Sequence, residues 1–361
     1  MKILTVIGAR PQFIKAAVIS RLLRGFSDVE EIIVHTGQHY DDSMSEIFFR
    51  ELEIPAPRYH LGVGSAAHGA QTGRMLEAIE KVIVELKPDK VLIYGDTNST
   101  LAGALAAAKL HVPVAHVEAG LRSFNRKMPE EVNRVVADHL STWLFAPTQA
   151  AVENLRHEGI ADALVHFSGD VMYDAAIYFG QKEPGQLLDR HDLLPKGYVL
   201  ATIHRAENTD APANLHCLFS ALNAVAEQIQ VVLPLHPRTL AALKRDNLLD
   251  SAHDNLRLLE PVGYLDMVTL ERNARLIATD SGGVQKEAFF HRVPCVTLRH
   301  ETEWGELVAL GWNRLVPPTN TQAITVGLLQ SLQPSDRQAI PENLYGGGKA
   351  GDQISQILRA A

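Results

Sequence analysis

The chain has 361 residues, 46% hydrophobic and 21% charged. That length exceeds the roughly 250–300 residues at which one hydrophobic core stops growing, so two domains are expected. Thirty-four Lys and Arg against 42 Asp and Glu give a net charge of -8, and with the basic residues scattered this excludes a nucleic-acid partner.

In chain order, strand-like apolar runs cover Ile3 to Ile7, Glu31 to Thr36, Lys90 to Tyr94, Val112 to Val117 and Trp143 to Ala146. Helix-period segments lie between them: Phe13 to Arg24, Met44 to Leu52, Thr72 to Leu86, Leu101 to Leu110, Glu131 to Leu140 and Ala150 to Glu158. A second set of strands follows at Tyr198 to Ile203, Val231 to Leu235, Leu256 to Leu258, Leu276 to Ala278, Cys295 to Leu298 and Arg314 to Val316. Alternation of this kind predicts parallel strands joined by crossover helices, hence an α/β fold with two mainly parallel sheets. The domain boundary is placed near Ser168 to Asp170, with a helix over Val171 to Gly180 opening the second domain. The polar stretch Gln181 to Gly197 is expected on the surface. Gly62 to Ala67 matches G-x-G-x-x-A but follows no apolar strand, so it is read as a loop.

Cys217 and Cys295 fall in apolar patterns rather than paired spacings, which disfavours a disulfide framework or a thiolate zinc site and points to a reducing cytoplasm. Five strand-type residues before Gly8 are too few for a signal-peptide core, and no apolar run approaches the length that spans a bilayer. A soluble cytoplasmic protein without a membrane partner is expected.

In open α/β sheets ligands bind outside the carboxyl ends of the strands, and several of these ends are polar. Gly8, Arg10, Pro11 and Lys15 make a helix start carrying two cations, a place for an anion. Asp96 follows the run VLIY and can cap the next helix through Thr97, Asn98 and Ser99. His116 and Glu118 share one face of a strand; no third ligand stands at helical spacing, so no metal site is assigned. A carboxylate buried at a strand end is costly unless it has a task or a partner. Glu130 and Glu131 begin a helix, where the dipole favours acids. Further along stand His204 and Arg205, then Asp280, Ser281, Gly282, Gly283 and Glu287, in which two glycines let backbone approach a phosphate and an acid one turn later is placed for ribose hydroxyls.

The segments GARPQFIK, GDTNST, HVEAGLRS, PEEVNR, the HR of HRAEN and TDSGGVQKEA, in this order and continuing to YGGGKA at 345–350, closely resemble the non-hydrolysing UDP-N-acetylglucosamine 2-epimerases. The resemblance implies two facing Rossmann-like domains of the GT-B type, 1–169 and 170–348, with the C-terminal helix 349–361 joining the first. It further implies a homodimer that takes a UDP-sugar and needs no cofactor. Asp96, Glu118 and Glu130 match the family's catalytic carboxylates, and His204 its histidine near the diphosphate. Arg10 and Lys15 match sugar and phosphate contacts, Ser281, Gly282 and Gly283 the phosphate loop, and Glu287 the ribose-binding acid.

The implied reaction is loss of UDP from C1 as C2 is deprotonated, giving a glycal to which UDP adds again after protonation on the other face. Carboxylates move the proton and cations hold the diphosphate. Ala9 and Gln12 replace a Thr and a Glu of the family, and Trp304 stands where those enzymes have an Arg. These departures look more like the branch acting on UDP-2,3-diacetamido-glucuronic acid in O-antigen synthesis, with Arg74, Arg122, Arg205 and Lys286 as cations for the uronate. A hydrolysing relative and a GT-B glycosyltransferase are the competing readings.

Overall fold

The structure is a computed structural model that describes residues 1–38, 49–182, 186–334, 337–339, 341 and 344–360. The expected helix from Met44 to Leu52 lies mostly outside the described residues. The chain divides into two compact units, Met1–Ala175 with Pro341–Ala361, and Ala176–Ile340.

The first unit holds strands β1 (Lys2–Ile7), β2 (Glu30–His35), β3 (Tyr59–His60), β4 (Lys90–Tyr94), β5 (Val114–Val117), β6 (Trp143–Ala146) and β7 (Val165–Phe167). They form one sheet in the order β3-β2-β1-β4-β5-β6-β7, every pair parallel. The second unit holds β8 (Tyr198–Thr202), β9 (Gln230–Pro234), β10 (Leu256–Leu259), β11 (Leu276–Thr279), β12 (Cys295–Thr297) and β13 (Asn313–Leu315). Their order, β10-β9-β8-β11-β12-β13, repeats the first and is again all parallel. Both are the doubly wound 3-2-1-4-5-6 order of a Rossmann sheet.

These strands are continuous apolar runs because both sheet faces are covered. In β8, Val199 and Ala201 join a core with Leu218 and Leu222, while Tyr198 and Leu200 point the other way into a second core. That second core contains Leu187, Leu188 and Leu193. Part of the polar stretch read as surface is therefore a buried anchor: three leucines at the right spacing outweigh the prolines and glycines around them.

The helices that matter for the site are α1 (Arg10–Leu23), α2 (His68–Leu86), α3 (Asn98–Lys109), α4 (Pro129–Leu140), α5 (Val171–Gly180), α6 (Gly282–Phe290) and the last, α7 (Ala350–Ala360). Helices α2 and α3 cover one face of the first sheet, with Met75, Ile79 and Ile83 packing on Leu4, Val6, Val91 and Ile93. The division between units falls within α5. Its Asp174 accepts the Ala350 and Gly351 backbone N–H at 3.2 and 2.8 Å, and the buried Lys90 ammonium donates to Leu358 O at 2.5 Å. Both ends of α7 are thus held by opposite charges that suit its dipole. At Gly169 a Cβ would come within 2.6 Å of the Tyr345 carbonyl and the Gly346 Cα, so the returning chain can pass only over glycine. No described helix is long and apolar enough to cross a membrane.

Candidate functional site

In each sheet the chain leaves the first strand to one side and the fourth to the other, so the turns after β1 and β4, and after β8 and β11, flank a topological switch point. The polar strand ends picked out above occupy these turns.

In the first unit, Gly8 follows β1, and a Cβ there would lie 1.9 Å from Thr36 Oγ1. Gln12 Oε1 accepts the Gly8 and Ala9 N–H groups at 2.8 and 3.1 Å, and its amide donates to Tyr94 O and Thr100 Oγ1. Gln12 thus satisfies the Gly8 and Ala9 amides that precede α1. Lys15 is buried, not solvated, and its ammonium meets Glu118 Oε1 at 2.7 Å. Glu118 leaves β5 with φ +74, an uncommon conformation for a side-chain-bearing residue and one that clusters at functional sites. Gly95, which ends β4 at φ +63, would place a Cβ only 3.4 Å from Lys15 Nζ and 3.5 Å from Glu118 Oε1. Asp96 thus stands one residue from the point where the Lys15–Glu118 pair lies against the chain.

Asp96 does not cap α3. Thr97 does, accepting the Thr100 N–H, which leaves the Asp96 carboxylate for Arg134. Arg134 also reaches Glu131 Oε2 at 3.1 Å, and Glu131 accepts the Ser123 and Phe124 N–H groups at 2.9 Å each. Burial alone would raise the Glu131 pKa, yet these donors and Arg134 hold it below the ordinary carboxylate value. Asn133 donates to Asp96 O and Asn98 Oδ1. Asp138, a turn further along α4, takes His116 Nδ1 at 2.7 Å, the Gly120 N–H at 3.0 Å and Arg122 at 2.8 Å. Helix α4 is the brace for both acid-bearing turns. Glu130, at its first turn, is exposed and forms no ion pair among the described residues.

In the second unit, Asp280 is fully buried at the end of β11. It accepts the His204 and Arg205 N–H groups at 3.0–3.1 Å and the Asn208 amide at 3.0 Å, with His204 Nδ1 3.4 Å away. The His204 ring keeps 40% exposure and lies 5.7 Å from the His236 ring, centre to centre. Ser281 caps α6 by accepting the Val284 N–H. The Trp304 indole N–H donates to Gly282 O at 2.9 Å, and Lys286 Nζ sits 4.4 Å over the same indole. Glu303 holds Arg299 by two bonds of 2.9 and 3.0 Å and has Arg205 at 3.8 Å. Glu287 is buried on α6; burial first, and then the Glu287 charge, push the fully buried Glu271 well above the ordinary carboxylate value.

The family model described as UDP-N-acetylglucosamine 2-epimerase matches residues 21–359. The chain belongs to the UDP-N-acetylglucosamine 2-epimerase family. It is 51% identical over 365 residues to the UDP-2,3-diacetamido-2,3-dideoxy-D-glucuronate 2-epimerase of Pseudomonas aeruginosa and 50% identical to a UDP-N-acetylglucosamine 2-epimerase homolog of Methanococcus maripaludis, in both cases over 99% of each chain. Among solved structures, the Methanocaldococcus jannaschii UDP-GlcNAc 2-epimerase in complex with UDP-GlcNAc and UDP superposes with a TM-score of 0.87 at 43% identity, covering 100% of both chains.

The epimerase family's motifs gather as two groups. Arg10, Lys15, Asp96 and Glu118 line the switch point of the first sheet; His204, Arg205, Ser281, Gly282 and Gly283 line that of the second, and Glu287 is buried further along α6. Of the four cations named for a uronate, Arg122 is removed, since its guanidinium is 1% exposed and tied to Asp138 and Glu158. Asn133 and Arg134 lie in the PEEVNR motif but were given no role there, and Asp138 lies outside every motif. The signal for Arg134 and Asp138 is their spacing from Glu131 at i+3 and i+7, one helical face turned inward.

Proposed function

We propose that this chain is a non-hydrolysing UDP-sugar 2-epimerase, with proton transfer at the first unit's switch point and UDP held at the second's. The observation that carries the reading is that Asp96 and Glu118, in the turns after the paired strands β4 and β5, are each set against a cation. Thr97 takes the cap that Asp96 could have filled, and each acid faces a cation, Arg134 and Lys15 respectively.

A base takes the proton from C2 as the C1–O bond to UDP breaks, its electron pair leaving with the diphosphate and a C1=C2 double bond remaining. A second group then delivers a proton to the opposite face of C2 and the diphosphate oxygen bonds C1 again. Asp96 and Glu118 exchange these protons, while Lys15 adjusts to charge on Glu118 as the proton comes and goes. Glu130 and Arg10 reach the substrate from exposed positions at helix starts. His204, fixed by Asp280, and the N-terminus of α6 meet the diphosphate. At Gly282 and Gly283 a Cβ would meet only ordinary contacts of 3.7 and 3.9 Å, so the protein's own packing does not demand glycine and close approach by phosphate is the reason that fits. Glu287 takes the ribose.

For the sugar, the reading is the 2,3-diacetamido uronate pair, supported by the Pseudomonas aeruginosa relative and by Trp304 over the phosphate loop. The protein acts in this reading as a cytoplasmic homodimer supplying a surface polysaccharide such as O-antigen. Comparison of kcat/KM for UDP-N-acetylglucosamine and the UDP-2,3-diacetamido uronate tests the choice: preference for the uronate is expected, and equal or better turnover of UDP-N-acetylglucosamine would overturn it.

A further inference from the structure

Behind the first unit's acids lies a closed chain of charge that no catalytic role has used. His116, on β5, is fully buried. Its Nε2 is 2.7 Å from Gly95 O and its Nδ1 2.7 Å from Asp138 Oδ1. A carbonyl oxygen has no proton to give, so Nε2 carries one. Asp138 Oδ2 already accepts the Gly120 N–H and lies 2.8 Å from Arg122. With the Arg122 guanidinium and the Gly120 N–H both directed at Oδ2, Asp138 is held as a carboxylate. An ionised carboxylate only accepts, so Nδ1 carries a proton as well.

His116 and Arg122 are then two cations against two anions, Asp138 and Glu158, the last bonded to Arg122 twice at 2.7 Å. Among these four groups the charges balance, which limits the cost of burying His116, Asp138 and Arg122. A neutral imidazole would set a lone pair against an acceptor oxygen at 2.7 Å on one side or the other.

The placement of this cluster gives it a task. Asp138 grips the chain at His116 and at Gly120, two residues either side of Glu118, whose φ of +74 has to be held. The other ring nitrogen grips the carbonyl of Gly95, the residue before Asp96. We propose that His116 is a permanently charged positioning residue: an imidazolium that ties the Asp96 turn to the Glu118 turn and keeps the two acids in register for proton transfer. The proposal rests on the epimerase reading for what the acids do, but not for the charge on the ring.

The charged groups packed around it are Asp138 from α4, Arg122 from the following loop, and Glu118 with Lys15 two residues on. Glu158 and the half-exposed His139, 3.5 Å apart, lie behind Arg122.

The test is nitrogen-15 NMR of the full-length protein carrying ring-labelled histidine, with the His116 signal assigned from its loss in His116→Gln. The expected result is a histidine with both ring nitrogens protonated and unmoved from pH 6 to 9. A neutral tautomer, or titration within that range, would overturn the proposal. Asp138→Asn separates positioning from simple packing: kcat is expected to fall about 100-fold, the cost of misplacing a reacting group, with KM little changed and activity partly restored in Asp138→Glu. Unchanged kcat in folded Asp138→Asn would sink the role; if that variant does not fold, the spectrum of the native protein still decides the charge. Because the ring spectrum needs no turnover, failure of the epimerase reading shows separately, as absent C2 exchange.

Discussion

At Gly283 the packing of the protein asks for nothing that alanine lacks: the conformation is not left-handed and the nearest atom to a Cβ would be Ser281 Oγ at 3.9 Å. Gly283→Ala in the first turn of α6 should therefore raise stability by up to about 1 kcal/mol, through helix propensity and a stiffer unfolded chain. The same methyl intrudes where a phosphate would approach, so UDP affinity should fall at least about tenfold, a loss of some 1.4 kcal/mol. Thermal melting and calorimetric titration with UDP read the two effects, and unchanged UDP binding would remove the phosphate role of this turn. Asp96→Asn is the counterpart in the first unit. Asparagine keeps the shape and a partner for Arg134, so binding should survive, while kcat drops about 10²–10⁴-fold as proton transfer is lost. Full activity in that variant would favour glycosyl transfer over epimerisation.

Among the elements, α5 and α7 are joined by a carboxylate that is uneasy in its place. Burial raises Asp174 from 3.8 to about 6, against the pull of the Gly351 and Ala350 N–H groups, with Asp170 and Asp352 adding to the rise. A raised acid binds its proton more tightly when folded, so its contribution to stability is full below about pH 4 and is lost as pH climbs through about 6. The amplitude is on the order of 3 kcal/mol. Denaturant unfolding of the native protein and Asp174→Asn across pH 4 to 7 should show this fall in the native protein and its disappearance in the variant; identical pH slopes would contradict the assignment. His291 has the opposite sign. Buried beside Arg272 and Lys196, it is lowered to about 4, so it supports folding above pH 6.5 and ceases to as pH falls through 4.

Much of this architecture was open to sequence reading because parallel strands covered on both faces are unbroken apolar runs. The strands β3 and β7 were not, being two and three residues long with histidine in each. The start of α2 was placed late for a related reason: the apolar periodicity begins near Thr72, whereas the helix begins at His68 with exposed His68, Gly69 and Ala70 in its first turn. The acids at strand ends stood out because a carboxylate after an apolar strand is costly without a task. Asp138 and Arg134 did not, because a charged residue on an amphipathic helix is expected to face water, and only the fold reveals that this face of α4 turns inward.

For the whole molecule, two sheets share the order 3-2-1-4-5-6, the first with β7 added at its edge, and most of the family-matched residues stand at their switch points. One unit offers carboxylates braced by a helix; the other offers a helix N-terminus, a histidine and arginines. The most direct measurement is incubation of the protein with a UDP-2-acetamido sugar, including the 2,3-diacetamido uronate, in deuterated water, followed by NMR of carbon 2. The account predicts deuterium at C2 in the recovered UDP-sugar and in its 2-epimer, with no free sugar accumulating. Full retention of the C2 proton in every such UDP-sugar, or release of free sugar as the main product, would contradict it.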